Sequence, residues 1–391
     1  MRCPASMAAL AVTVLATAAF LGTSAWRFFV AADIGSTMAW SIPVIDVSAW
    51  VSELQAQSDL TVHDGVVAQL DHALSEFGFA VVIGHGVDDE AFNEVYRSAQ
   101  AFFHSDAKHE YNLQLGYGFG GYLPAGYEAG GQLAGERNPQ GDLVESLTCR
   151  GLHHSSSRNA SRTSADPHFA QDMSDIPSAD RIPPELRGPT IALHDQLLPF
   201  KTLLTRTTER VMGVAAGAFN DTFDPRRGGI RFPFYPSLPT FAEKTIGYGA
   251  HADSGGMVVL RVDRHNPVGT EVLYRGQWLP VPVHLPNAVV LNGGTVLQRL
   301  TGGRWKAAIH RAARANARER LSIVYGAMVP HNDLEVSSLA VAHLRTAATA
   351  TGWESQEKVV RVKEYLDARV RMQRPEMDPR DRELIAYVDG C

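Results

Sequence analysis

Residues 249–260 read GAHADSGGMVVL, and this short stretch leads from a polar turn into an apolar run. His251 and Asp253 stand two positions apart where the chain is expected to be extended. Side chains alternate between the two faces of an extended chain, so both point to the same side. The stretch therefore predicts an imidazole and a carboxylate side by side at the mouth of a strand.

Short apolar runs separated by Gly, Pro and Asn continue on both sides of this stretch. Their close spacing predicts an antiparallel sandwich or barrel between residues 228 and 333. Arg275-Gly276-Gln277 is expected to form the tip of a hairpin. The predicted strands lie in IRFPFY (230–235), MVVLRV (257–262), TEVLYRGQWLPVPV (270–283), NAVVLNGG (287–294), KAAIHRAAR (306–314) and RLSIVYGAMV (320–329).

The flanking sequence has helical spacing, so the predicted fold class is mainly β with flanking helices (α+β) and an α/β N-terminal region. Residues 116–141 are rich in Gly and Tyr without a sustained period, which predicts a loop. The tail helix is expected to pack outside the barrel. The predicted elements are strands in 42–47 and 78–87 and helices in 66–77, 89–104, 189–215 and 356–373.

The composition is that of a globular protein, with 45% hydrophobic and 20% charged residues. The 42 acidic and 36 basic residues give a net charge of -6 and are spread along the chain, which argues against nucleic acid as a partner. Cys3, Cys149 and Cys391 form no CxxC pair. A disulfide framework and a thiolate zinc site are therefore excluded, and the body of the protein is expected in the cytoplasm.

The N-terminus departs from this composition. Residues 7–26 form an uncharged run of twenty between Arg2 and Arg27, long enough to cross a bilayer. Three interpretations are open: a membrane anchor, a presequence cleaved near Ala25 or Ala32, or sequence upstream of a true start at Met38. The last is favoured, because the sequence from Met38 onward is typical of a cytosolic protein. Contact with a membrane is expected only if the segment is retained.

A third candidate ligand joins His251 and Asp253 from another predicted strand. His310, in KAAIHRAAR, shares its strand face with the small Ala308 and Ala312, which leave room around the imidazole. Two histidines and one carboxylate on one side of an ion leave its opposite positions open, and this set is typical of non-haem Fe(II) oxygenases. Each fragment alone is common by chance, so the interpretation depends on all three.

The next predicted strand strengthens this interpretation. Arg320 and Ser322 are two apart and share one face, whereas Leu321, Ile323 and Tyr325 take the other. A buried arginine is costly unless it meets an anion. Its planar guanidinium suits a carboxylate, and the serine hydroxyl is a further donor.

These residues carry a family resemblance. HAD, AAIHR and RLS, in this order and spacing, resemble the plant-type, isopenicillin N synthase-like Fe(II)/2-oxoglutarate-dependent oxygenases. IPVIDVSAW, GFAVVIGHGV and AFFHSDAKHEY resemble the N-terminal region of that family, and IRFPFYPSLP and VVLNGGTVLQRLTGGRWKAAIHR resemble its sequence around the metal strands. The likeness covers most of residues 42–330.

The resemblance implies a double-stranded β-helix (jelly roll) in which His251, Asp253 and His310 bind iron. Arg320, Ser322 and Tyr235 would hold the co-substrate 2-oxoglutarate (2OG). The implied activity oxidises a small organic molecule with dioxygen and releases succinate and CO2. The implied regions are an apolar extension (1–37), an N-terminal oxygenase region (38–150), a loop and long helix (151–227), the jelly-roll catalytic domain (228–333) and a helical tail (334–391).

Two departures from the family pattern leave the finer assignment open. Pro233 stands where relatives commonly have Asn, and Thr295 follows Gly294 where they have Asp. One alternative is an oxidase of the same fold that does not use 2OG, in which Arg320 and Ser322 would bind a carboxylate of the substrate. A zinc hydrolase is disfavoured because no HExxH-type base accompanies the ligands, and a scaffold protein because every ligand is intact.

Other candidates have ordinary structural explanations. By resemblance, His85 in IGHGV is interpreted as a structural turn histidine. His153 and His154 lie in a Ser-rich segment typical of a solvated loop. Tyr122 and Tyr127 are equally open to a role in the substrate wall and to simple packing.

Overall fold

In the described part of the chain, most helical residues precede residue 213, strands dominate residues 230–326, and two helices follow. The computed structural model describes residues 40–55, 64–112, 120–136, 138–150, 152, 181–220, 222–223, 228–237, 247–262, 269–283, 285–312, 318–331, 334, 360–373 and 379–389. The predicted apolar extension and the pair His153 and His154 lie outside these residues. Within the described part of the chain, no helix combines the length and apolarity needed to span a bilayer.

The helices within these ranges are α1 (Ser48–Gln55), α2 (Asp64–Glu76), α3 (Asp89–His104), α4 (Pro184–Met212), α5 (Thr295–Leu300), α6 (Val362–Met372) and α7 (Pro379–Asp389). The helix predicted at 89–104 is confirmed at both ends. Its buried side chains recur every three or four residues and form one apolar face. The long helix α4 begins at Pro184, earlier than predicted, since proline is well tolerated in the first helical turn.

The strands within the described ranges are β1 (Val44–Asp46), β2 (Phe79–Ile83), β3 (Gly121–Leu123), β4 (Glu145–Cys149), β5 (Ile230–Tyr235), β6 (Tyr248–His251), β7 (Met257–Val262), β8 (Thr270–Tyr274), β9 (Gln277–Pro280), β10 (Val289–Gly293), β11 (His310–Ala312) and β12 (Arg320–Gly326). They form one sheet in the order β1-β2-β10-β7-β12-β5-β4-β3 and a smaller sheet in the order β6-β11-β8-β9. Apart from the parallel β1–β2 pair, neighbouring strands in these two sheets are antiparallel.

The large sheet is covered on both faces, and the alternation of side chains shows how. On β10, Val289 and Leu291 belong to the core shared with the helices, whereas Val290 belongs to the core shared with β8 and β9. On β2, Ala80 belongs to the core shared with the helices, and Phe79 belongs to the core shared with β8 and β9. The layers are therefore helices, large sheet and small sheet, and the predicted jelly roll with flanking helices is confirmed.

Two local predictions have opposite outcomes. The predicted hairpin tip is confirmed: Arg275 and Gly276 adopt φ values of 48° and 80° between β8 and β9, as a two-residue turn with a left-handed backbone requires. The prediction of a loop throughout 116–141 is wrong, because Gly121–Leu123 pairs with β4 and Gly130–Ala134 forms a short 3-10 helix. Strand pairing with a partner distant in sequence stabilises β3, and no local periodicity signals it.

His85 lies at the end of β2 and is structural, in agreement with its interpretation from the sequence. It is 2% exposed, its Nε2 lies 2.8 Å from the Asn287 carbonyl oxygen, and its Nδ1 accepts a hydrogen bond from the Val87 amide at 3.2 Å. A neutral ring with its proton on Nε2 satisfies both contacts. Burial lowers the pKa of His85 to about 4.

This lowered pKa gives the protein a pH-dependent stability. Between pH values of about 4 and 6.5 the unfolded chain binds a proton at His85 that the folded chain does not, so the free energy of unfolding rises with pH. The full effect is about 3 kcal/mol. We expect His85→Gln to flatten the pH dependence measured by urea unfolding between pH 4.5 and 7.5. A variant with the slope of the wild type would contradict this assignment.

Candidate active site

Pairing of two short strands brings the predicted metal ligands together. His251 is the last residue of β6 and His310 the first of β11, and the two are direct partners in this antiparallel pair. Their ring centroids lie 4.3 Å apart. Asp253 follows in the turn after β6, with Oδ1 3.5 Å from the His251 Nε2 and Oδ2 3.9 Å from the His310 Nε2.

Backbone carbonyls fix the orientation of both imidazoles. The Nδ1 atom of His251 lies 2.8 Å from the Gly249 oxygen, and that of His310 lies 3.1 Å from the Ala308 oxygen. A carbonyl only accepts hydrogen bonds, so each Nδ1 carries the proton and donates it. Each Nε2 therefore presents a lone pair towards Asp253, as metal-binding histidines do.

The ionisation of the site also suits a cation. Burial lowers the pKa of His310 to about 4, with a smaller contribution from the neighbouring His251. Burial by itself raises the pKa of Asp253, but the two imidazoles and the Asn292 amide outweigh it and hold that pKa well below its usual range. The Asn292 amide donates to Asp253 Oδ2 at 2.5 Å. At neutral pH, His310 is therefore neutral and Asp253 is a carboxylate, the forms in which they bind metals.

The spacing fits a single ion. The three ligand atoms lie within 4.8 Å of one another. An ion about 2.0–2.2 Å from each ligand needs ligand separations of about 4 Å, and the two Asp253 oxygens lie 3.5 and 3.9 Å from the two histidine Nε2 atoms. With three protein ligands, an octahedral ion keeps three positions open for other molecules.

The predicted anion-binding residues lie in the same cavity. Arg320 and Ser322 on β12 are 3% and 5% exposed, and both line a cavity of about 160 Å³ together with the three candidate ligands. Arg320 pairs with Tyr235 across β12 and β5, and its guanidinium carbon lies 4.1 Å from the centre of the tyrosine ring. Burial raises the pKa of Tyr235, so its hydroxyl stays protonated and can donate.

The cavity has further polar residues that the sequence did not single out. Arg231 forms an ion pair with Glu128 and lies with its guanidinium carbon 5.5 Å from the centre of the Tyr248 ring. The Tyr248 hydroxyl lies 3.4 Å from the side-chain oxygen of Gln373, just beyond α6. Arg231 shares its strand face with Tyr235, so strand alternation could have identified it. No sequence signal identifies Gln373, because tertiary packing places it.

Other candidates lie elsewhere. Tyr122 is 2% exposed and donates a 2.6 Å hydrogen bond to Glu145, and neither it nor the exposed Tyr127 lines the cavity. Tyr122 is therefore a packing residue and Tyr127 a surface residue, and neither forms part of the cavity wall. Of the two departures from the family pattern, Pro233 lines the cavity, whereas Thr295 lies behind the Asp253 turn.

A double-stranded β-helix that faces two histidines and a carboxylate into a cavity defines the class of mononuclear non-haem metal enzymes. Residues 228–327 match the 2OG-Fe(II) oxygenase superfamily. Residues 42–170 match the family described as non-haem dioxygenase in morphine synthesis, N-terminal. The chain belongs to the 2OG-Fe(II) oxygenase superfamily, whose cofactor is Fe(II) and whose co-substrate is 2OG.

Curated relatives include proteins named as oxygenases, and solved structures share the fold. Jasmonate-induced oxygenase 2 of Arabidopsis thaliana is 26% identical over 306 residues, which are 77% of this chain and 73% of the relative. The 2-oxoglutarate-dependent dioxygenase citB of Monascus ruber is 25% identical, over 75% of this chain and 86% of its own. The crystal structure of the rice dioxygenase for auxin oxidation has a TM-score of 0.58 at 23% identity, covering 84% of this chain and 95% of the rice chain. That of JOX2 with 2OG, Fe and JA has a TM-score of 0.60 at 21% identity, covering 88% and 89%.

Proposed function

We propose that His251, Asp253 and His310 hold the Fe(II) of a 2OG-dependent dioxygenase that hydroxylates, desaturates or cyclises a small organic molecule. The observation that carries this proposal is the paired orientation of the imidazoles. Both Nδ1 atoms are bound to backbone carbonyls, so both Nε2 atoms face Asp253. An arrangement of this kind preorganises a metal site.

Arg320, Ser322 and Tyr235 are proposed to hold the distal carboxylate of 2OG. Arg320 offers a planar pair of N–H donors, Ser322 follows it on the same strand face, and the Tyr235 hydroxyl adds a third donor. Burial of all three strengthens their hydrogen bonds to a carboxylate, because water competes poorly there. Bound Fe(II) with 2OG supplies the coupling of dioxygen reduction and 2OG decarboxylation to oxidation of the substrate.

The rest of the cavity is proposed to receive the substrate. Val258, Leu260 and Val324 form apolar wall, and Arg231, Tyr248 and Gln373 add hydrogen-bonding groups. A wall of this mixture suits a small organic molecule with an apolar body and a polar group.

The alternative of an oxidase that does not use 2OG is not favoured. Relatives along most of the chain are named 2-oxoglutarate-dependent dioxygenases. The position of Arg320 and Ser322 in the cavity suits a carboxylate in either reaction, so the preference rests on the relatives. A zinc hydrolase does not agree with the family to which the chain belongs.

Anaerobic reconstitution tests the proposal. We expect the purified full chain to bind one Fe(II), and addition of 2OG and air to yield succinate and CO2, with faster turnover when a substrate is present. Candidate small molecules are then screened by the stimulation of CO2 release. Oxygen uptake without succinate would contradict the 2OG-dependent reaction and favour the oxidase.

A further inference from the structure

The turn that carries Asp253 lies outside the strands and helices, and residues of two helices hold it. Residues 252–254 link β6 to the chain that enters β7, and their carbonyl groups must find donors elsewhere. The donors come from α5 and α6, both distant in sequence, and the Val296 amide adds a longer bond to Ser254 at 3.4 Å. Ala252 accepts from the Arg369 guanidinium at 2.8 Å, Asp253 from the Thr295 amide at 2.8 Å, and Ser254 from the Thr295 hydroxyl at 3.2 Å.

These donors form one directed chain of hydrogen bonds. Arg369 also donates to the Tyr365 hydroxyl oxygen at 3.0 Å, and that hydroxyl lies 2.5 Å from the Thr295 hydroxyl. Since Thr295 donates to Ser254, its oxygen is left to accept from Tyr365. Each hydroxyl then accepts one hydrogen bond and donates one. The hydrogen bonds run from Arg369 on α6 through Tyr365 and Thr295 to the turn that carries Asp253.

The position of Arg369 is unusual for a charged residue. It is 3% exposed on a helix whose other face is polar, and a buried guanidinium destabilises a fold unless its N–H groups are bound. Its partners are Tyr365, one helical turn before it, and the carbonyl of the residue between His251 and Asp253. Arg371, two positions on, instead joins α6 to α7 through Asp381, at 2.7 and 2.6 Å.

We infer that Arg369, Tyr365 and Thr295 are positioning residues through which α6 holds the Asp253 turn in its metal-binding shape. The inference rests on the proposed iron site and extends it to a helix beyond residues 228–327, the segment that matches the superfamily. It also gives Thr295, one of the departures from the family pattern, a role: its hydroxyl joins the tail helix to the metal turn.

Co(II) titration of the full-length protein, followed by visible absorption, tests this role. Partners that orient metal ligands typically change metal affinity 10- to 100-fold when removed. We expect Arg369→Met to raise the Co(II) dissociation constant by about this factor and to change the shape of the Co(II) spectrum. Arg369→Lys should fall between Arg369→Met and wild type, since an ammonium can still donate to the Ala252 carbonyl. Tyr365→Phe should weaken binding by a smaller factor.

Arg371→Met is the matched control. It removes the ion pair with Asp381 from the same helix, so it should lower the melting temperature while leaving the Co(II) dissociation constant unchanged. Equal Co(II) affinity in wild type, Arg369→Met and Tyr365→Phe would overturn the inference, as would an equal loss in Arg371→Met. If wild type binds no Co(II), the proposed metal site itself is wrong, which separates the two failures.

Discussion

An Asp253→Ala variant is expected to lose metal binding and all 2OG turnover while it keeps its fold. Asp253 is the one anionic ligand in the proposed set, and its two oxygens face the two imidazoles at 3.5 and 3.9 Å. Without it, two imidazoles remain, which bind Fe(II) far more weakly and leave its charge uncompensated. Metal content after anaerobic loading, succinate yield and melting temperature measure the three parts of this prediction.

Asp71→Ala is the matched control for this variant. The side chain of Asp71 is 20% exposed, close to the 24% of Asp253, but it binds Arg304 and Trp305 outside the cavity. Its removal should lower the stability and leave metal content and turnover per folded molecule unchanged. Normal turnover by Asp253→Ala would place the reactive metal elsewhere and refute the proposed ligand set.

Arg320→Ala is expected to raise the KM for 2OG by on the order of 100-fold, because removal of one member of a buried charge pair costs about 2–5 kcal/mol. Arg320→Lys should have a smaller effect, since it keeps the charge but loses the paired N–H geometry. The rate of succinate formation across a range of 2OG concentrations gives both values. The iron content should stay at the wild-type level in both variants, because neither removes a ligand.

Arg311→Ala controls for the loss of any arginine from the cavity. Arg311 also lines the cavity, but it is bound to Glu271 at 2.8 Å and lies 3.9 Å from the centre of the Trp278 ring. The Arg311→Ala substitution should therefore change the KM for 2OG only slightly. An unchanged requirement for 2OG in Arg320→Ala would instead support the oxidase, in which Arg320 binds a carboxylate of the substrate.

Much of the strand structure in residues 228–333 could be predicted from local sequence. The strands IRFPFY and MVVLRV match β5 and β7 at both ends, because each apolar run is bounded by turn residues. The side-chain alternation predicted for β12 is also observed. Leu321, Ile323 and Tyr325 belong to the core, whereas Arg320 and Ser322 line the cavity.

The rest depends on contacts between residues distant in sequence. The strand β3 exists because it pairs with β4, and a three-residue strand in a glycine-rich segment has no pattern of its own. The helical period predicted α6 and an apolar face, but a period does not identify the surface that this face meets. That Arg369 reaches the Asp253 turn, and that Gln373 lines the cavity, could therefore not be foreseen.

The division of β12 between core and cavity limits how this active site can change during evolution. Substitutions at alternate positions act on one compartment at a time, so the cavity can be remodelled for new substrates while the core stays intact. A single inserted or deleted residue would shift every following side chain to the opposite face. It would bring apolar side chains into the cavity and Ser322 or Arg320 into the core. New specificities in this lineage should therefore arise by substitution of cavity residues that do not hold 2OG, such as Val324, with length changes confined to the connecting loops.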